Sequence, residues 1–285
     1  MTEKNEKPNS GHEWDGITEY DNPDPKWLRV IFYITLFITL IYWLLFPSWP
    51  TPNDTGILEW SSEKQLKEEL DSLYKIRHEY QASFDEAPFD IILQDQKLLN
   101  FAIKSGRSIF QNNCAVCHGA GGGGILGYPN LTAGAWMWGG AIDDIQHTIT
   151  HGIRNIDPDS HDSQMPAFGK DQLLPIEDIK LIANYVIYIA KEDKTQYNKS
   201  FDMEKAETIF QVNCASCHGA DAKGNIIVGA PNLTDAIWLY GGDYNTVYDV
   251  IFNGRGGQMP FWNGKLSESE IKAVSVYVHQ LGGGR

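Results

Sequence analysis

Cysteine is scarce in this chain of 285 residues: there are four, Cys114, Cys117, Cys214 and Cys217, and all fall within two copies of Cys-x-x-Cys-His. None is left over for a disulfide framework, so the fold has to rest on burial rather than on covalent staples. Positive charge is short as well, with 23 Lys and Arg against 37 Asp and Glu and a net charge of −14. Such a chain repels a polyphosphate backbone, which excludes a nucleic-acid role. Apolar runs are also few. Only residues 30–46 approach the length of a bilayer core, which excludes a protein of many spans.

What is present is more specific. Cys114–His118 reads Cys-x-x-Cys-His, and the same pattern returns a hundred residues later at Cys214–His218. In this motif the two thiols add to the vinyl groups of a haem and the histidine is delivered to the iron. Two copies predict two covalently bound haem c groups. A thioredoxin-like pair needs one copy and no following histidine, and a zinc site leaves both histidines unexplained.

The duplication extends beyond the motif. Gly106–Cys114 parallels Ala206–Cys214, Pro129–Thr132 returns as Pro231–Thr234, and Gln164-Met165-Pro166 returns as Gln258-Met259-Pro260. One module of small-domain size has been copied, with about six more residues between motif and methionine in the first copy. Apolar spacing predicts a helix leading into each motif, over about 96–113 and 203–213. A second helix closes each module near 176–191 and near 268–281, starting at Pro175 and Ser267. Glycine-rich loops such as Gly121–Gly124 let backbone approach a flat cofactor.

Met165 and Met259 follow their module's histidine by 47 and 41 residues, at equivalent places in the repeat. A thioether on the face opposite His118 or His218 would close the iron to oxygen and raise its potential. Met1, Met137 and Met203 have no counterparts. The competing ligands are His147 and His151, which share a face if helical, so bis-histidine ligation of the first haem stays open. Their counterparts, Asp249 and Asn253, cannot do that job. Pro129 and Pro231 have the placement for a carbonyl that orients each ligating histidine. Arg154 and Arg255 are either partners of haem propionates or exposed surface arginines.

Seventeen uncharged residues, Val30 to Phe46, rise about 26 Å as a helix, and the interfacial Trp27 and Trp49 extend this to about 34 Å. Some two dozen polar residues precede the run and no small-residue cleavage site follows, which points to an uncleaved anchor. Lys26 and Arg29, with Lys4 and Lys7 beyond them, lie on its amino side, and no basic residue follows until Lys64. The expected orientation is amino terminus in the cytoplasm and the bulk of the chain outside, in the periplasm of a bacterial inner membrane. After an irregular linker at Pro47, Pro50, Pro52 and Gly56, Ser62 and Gln65 form a capping box for a helix over 63–80 with a stripe of Leu66, Leu70, Leu73 and Ile76. The expected fold is mainly α, with one N-terminal transmembrane helix and two tandem class I cytochrome c domains. The segments are 1–29 cytoplasmic, 30–49 membrane, 50–94 linker with amphipathic helix, 95–194 first domain and 195–285 second domain. The acidic outer part serves either solubility or encounter with a basic electron donor.

The stretches His12-Glu-Trp-Asp-Gly-Ile17, Asp21-Asn-Pro-Asp-Pro25 and Gln164-Met-Pro-Ala-Phe-Gly169, with the anchor and the two haem modules, resemble the dihaem CcoP/FixP subunit of cbb3-type cytochrome c oxidases. The resemblance covers nearly the whole chain. It implies a non-catalytic electron-transfer subunit that takes electrons from a donor c-type cytochrome. It would pass them through a monohaem c subunit to a catalytic haem b/b3–copper subunit, where oxygen becomes water and protons are pumped. It also implies that the methionines are exchanged, Met259 serving the haem at His118 and Met165 the haem at His218, where sequence order alone would pair each with its own module. A free-standing anchored carrier, or a dihaem peroxidase with one openable iron, are the alternatives.

Overall fold

A computed structural model describes residues 9–46, 56–190, 201–235 and 237–282. They divide into two compact units, residues 1–78 and 79–285. Lys4, Lys7, Pro47, Trp49, Pro50 and Pro52 lie outside the described residues.

The first unit opens with an antiparallel hairpin of β1 (Asn9–Trp14) and β2 (Ile17–Tyr20). Asp15 and Gly16 turn it with φ of 49° and 84°, the left-handed pair that matches the twist of two strands. Helix α1 (Lys26–Leu45) follows Pro25, whose fixed φ suits a helix start. Its apolar side chains are exposed all round, as expected of a helix whose solvent is lipid. The hydroxyls of Thr35 and Thr39 donate to Phe32 O and Thr35 O, both at 2.8 Å, so neither polar group needs water. Helix α2 (Ser62–Glu86) is longer than the expected 63–80. Its cap is Ser61 rather than Ser62: the Ser61 hydroxyl accepts from Lys64 N, while the Gln65 side chain accepts from the Trp60 indole. Leu66, Leu70, Leu73 and Ile76 are exposed along it.

The second unit is built from α3 (Phe89–Gln94), α4 (Gln96–Asn113), α5 (Ala115–His118), α6 (Ile142–His151), α7 (Ile176–Ala190), α8 (Met203–Asn213), α9 (Ala215–His218), α10 (Tyr244–Asn253) and α11 (Glu268–Gly282). Aspartates cap three of them. Asp95 accepts from Lys97 N and Leu98 N, Asp202 from Lys205 N, and Asp243 from Thr246 N, each cap contributing about 1 kcal/mol. Ser267 and Glu270 form a reciprocal capping box at the start of α11.

The closing helices do not serve their own modules. Phe110, Ile145 and Ile149 of the first repeat form one core with Ile271, Val274, Tyr277 and Val278 of the second. Ile179, Ile182, Ala183, Val186 and Ile187 of the first repeat form the other core with Val247 and Ile251 of the second. The expectation that 176–191 and 268–281 each cover their own motif helix is thereby corrected. Helix α11 lies on α4 and α7 lies on α8. The fully buried Phe110 meets Tyr277 with ring centres 5.4 Å apart, and its counterpart Phe210 meets Tyr185 at 5.4 Å. Each phenylalanine buried this way contributes about 2–3 kcal/mol. The repeats are contiguous in sequence but the two cores are interleaved in space. A third cluster, Phe84, Ile92, Leu98 and Ala102 against Ala273 and Val276, fastens the segment before α4 to the far side of α11.

Candidate functional site

Each motif folds into one short helical turn at the end of a long helix. Cys114 ends α4 and starts α5, its N–H bonded to Phe110 O at 2.8 Å, and Cys214 repeats this with Phe210 O at 2.8 Å. Gly119 and Gly219 then leave the turn at φ of 77° and 81°, a conformation that frees the chain to fold back under the histidine. His118 Nδ1 is 3.1 Å from Pro129 O, and His218 Nδ1 is 3.0 Å from Pro231 O. These are the carbonyls expected from the sequence. With Nδ1–H donated there, the lone pair sits on Nε2 and the ring orientation is fixed. Burial pushes the pKa of both imidazoles below the ordinary histidine value, partly opposed by the proline carbonyl, so both are neutral and able to ligate near pH 7.

Burial also pushes the Cys114 thiol up to about 11 and Cys214 up to about 12, with Cys117 and Cys217 adding to the effect. The uncharged form is therefore favoured at Cys114 and Cys214. Stable thioethers, which carry no charge, suit a buried position.

The two Met-Pro segments cross between the repeats. Met259 N and O pair with Ile153 O and N at 3.0 and 2.9 Å, and Met165 N and O pair with Arg255 O and N at 2.9 and 3.2 Å. Glycine makes the crossing possible. A Cβ on Gly152 would stand 2.5 Å from Met259 O, and one on Gly254 would stand 2.5 Å from Met165 O. As a result Met259 packs in the core that holds Cys114, and Met165 packs in the core that holds Cys214.

Three family models match the chain: the N-terminal domain of cbb3-type cytochrome oxidase FixP over residues 6–53, cytochrome c over 103–189, and cbb3-type cytochrome c oxidase subunit III over 201–278. The FixP subunit of Bradyrhizobium diazoefficiens is 44% identical over 98% of this chain and 96% of its own length. The FixP subunit of Azorhizobium caulinodans is 45% identical over 97% and 93%, and the CcoP subunit of Cereibacter sphaeroides is 43% identical over 98% and 96%. The chain belongs to the FixP/CcoP family of cbb3-type cytochrome c oxidase subunits. Membership makes it mainly helical with two cytochrome c domains, an electron-transfer subunit that assembles with other subunits of the oxidase. The apolar helix α1 within the FixP N-terminal domain anchors it in a membrane.

Two FixP/CcoP cytochrome c domains carry two covalently bound haem c groups. The residues present fit them. Among the described residues Trp136 Nε1 is buried without a hydrogen-bond partner, in the same core as Cys114 and Met259. A buried N–H left in that state costs about 1–3 kcal/mol, and a carboxylate at a haem edge would remove the cost. The corresponding Trp238 packs in the other core, each indole lying over a glycine, Gly140 or Gly242, where a Cβ would clash.

His147 and His151, the competing ligands, lie on α6 with ring centres 4.7 Å apart. Their helix contributes Ile145 and Ile149 to the core, while His147 itself is exposed and His151 Nδ1 is 3.0 Å from Asp157 Oδ1. Arg154 donates Nε to Gly257 O at 2.6 Å and Nη1 to Ser163 O. Arg255 pairs with Asp249 and lies 5.0 Å over the Tyr240 ring. The Arg154 guanidinium thus bridges the repeats, whereas that of Arg255 bonds within the second repeat and only its backbone meets Met165, roles that depend on loop backbone and leave no mark in a residue pattern.

Proposed function

We propose that Cys114 and Cys117 hold one haem and Cys214 and Cys217 the other, that His118 and His218 ligate the two irons, and that Met259 stands opposite His118 while Met165 stands opposite His218. When bound, each haem c supplies an iron that gains and loses one electron. The protein does the rest. The proline carbonyls fix the imidazoles, the methionine thioethers would be the second protein ligand of each iron, and the crossed Met-Pro segments hold the two modules as one piece. An iron held by both a histidine and a methionine would admit no substrate, so only electrons would pass. The supporting observation is the packing of Met259 with Cys114 and of Met165 with Cys214.

In this reading the haem domains face the periplasm of a bacterial inner membrane, with residues 1–29 in the cytoplasm. A basic donor c-type cytochrome delivers the electron to this acidic surface. The electron continues through a monohaem c subunit to the haem b/b3–copper subunit, which reduces oxygen to water and pumps protons. Two measurements test it. Purification in mild detergent should recover the chain with haem b and copper, and recovery without them favours a free-standing carrier. Carbon monoxide added to the reduced, purified chain should leave both haem spectra unchanged, and a rapid change at one haem refutes the closed-iron relay.

A further inference from the structure

Among the described residues, the first repeat carries a cluster that the second lacks. His151 closes α6, and the loop after it brings Asp157 and Asp159 back to its ring. His151 Nδ1 is 3.0 Å from Asp157 Oδ1 and 4.0 Å from Asp159 Oδ2, and the three donor atoms all lie within 4.8 Å of one another. Two donors at the tetrahedral angle on an ion with bonds of about 2.1 Å are about 3.4 Å apart, so a single ion would draw the exposed Asp159 carboxylate in by about 0.6 Å. His147 stands beside His151, and His161 beside His147 with ring centres 5.1 Å apart.

The haem fold does not require this set. At the equivalent place the second repeat has Asp249 and Asn253, and Asp249 is occupied by Arg255 and by the Asn253 amide. Asp157, Asp159 and His161 come from the stretch where the first repeat is about six residues longer. The loop is ordered towards the cluster by Asp157 N on Asn155 Oδ1 and Asp159 N on Asp157 Oδ1, at 2.8 and 2.9 Å. Asp157 has a side chain only 9% exposed, whereas Asp159 is 69% exposed and marks the open side of the site.

We propose that His151, Asp157 and Asp159 bind a divalent transition-metal ion of the zinc class. Two carboxylates balance the charge of such an ion, and imidazole nitrogen selects it over calcium or magnesium, which take all-oxygen sites. His151 binds through Nδ1 with its proton on Nε2. The site has a structural consequence, because the same loop touches the crossing of the repeats. Asn155 Nδ2 donates to His151 O at 2.9 Å and to Met259 O at 3.0 Å.

The test uses the full haem-loaded chain in detergent, without a histidine tag and stripped by chelator, dialysed to equilibrium against Zn2+. One zinc per chain at micromolar free metal is expected. Asp159→Asn and His151→Gln should each weaken uptake about tenfold or more, while His78→Gln and His279→Gln leave it unchanged. Unchanged haem spectra establish that the variants are folded, and the exposed Asp159 keeps the test valid if His151→Gln does not fold. No zinc taken up at micromolar metal, or equal uptake by wild type and Asp159→Asn, would show a structural ion pair only and overturn the proposal.

Discussion

Gly106 is where the interleaving of the repeats is most exposed to a single methyl group. It lies on α4 against α11, and a Cβ there would stand 2.2 Å from Ala273 O and 2.7 Å from Tyr277 Cβ. Ordinary contact between such atoms is about 3.5 Å, so Gly106→Ala must part the helices by about 1 Å. All three of the nearest opposing atoms, Ala273 O, Ala273 C and Tyr277 Cβ, are backbone or Cβ, which no rotamer change can move. Overpacking of this kind costs about 3 kcal/mol, the upper end of its usual range, and lowers the melting temperature by about 6–12 °C in a unit of this size. The counterpart, Ala206, already carries a buried methyl, so the two helix pairs are not copies at this point. Thermal unfolding of the haem-loaded chain, followed by far-ultraviolet circular dichroism and by haem absorbance, reads the effect. Helix α4 leads to Cys114 while α11 belongs to the second repeat, so both haem environments should be lost in one transition. Glu68→Ala, at an exposed helical position of α2, is the control. A Gly106→Ala variant no less stable than the control would refute the close crossing of α4 and α11.

Lys272 donates Nζ to Phe84 O, Asp85 O and Ala87 O at 2.9, 3.0 and 2.5 Å, closing the end of α2. Lys272→Met leaves those carbonyls without it and should cost about 1–3 kcal/mol, measured by denaturant unfolding. Asp243 has its carboxyl held below the ordinary range by the Thr246 hydroxyl and then by the Thr246 N–H. Its folded pKa being the lower one, its contribution is complete above the ordinary value and is lost as pH falls through the depressed one. Asp243→Asn should therefore flatten the acid limb of stability against pH, and an unchanged limb would discount the bond. Raising ionic strength should slow reduction by a basic donor cytochrome, read by stopped flow, if the acidic surface serves docking.

Much of this was legible in the residues. Helices α4 and α8 begin and end where apolar spacing and the Cys motifs put them, and α7 and α11 agree within a residue or so. The hairpin at Asn9–Tyr20 was not read, although Asp15-Gly16 between Trp14 and Ile17 is the dipeptide that favours such a turn. The partners of α7 and α11 could not be read from period alone. Ile179, Ile182 and Val186 on one, and Ile271, Val274 and Val278 on the other, form similar apolar faces that fit either motif helix. What decides the choice is backbone pairing at Ile153–Met259 and Met165–Arg255, which carries no side-chain signature. The histidines of α6 were visible as a pair, but their meeting with Asp157 depends on a loop whose path the sequence does not state.

The crossing of the methionines is tested most directly in chains that keep one haem. With Cys214 and Cys217 replaced by serine, only the haem at His118 remains. Met259→Leu should then lower its reduction potential and abolish its sulfur-to-iron charge-transfer absorption, while Met165→Leu leaves both unchanged. The opposite pattern, with Met165→Leu acting on the haem at His118, would contradict the account.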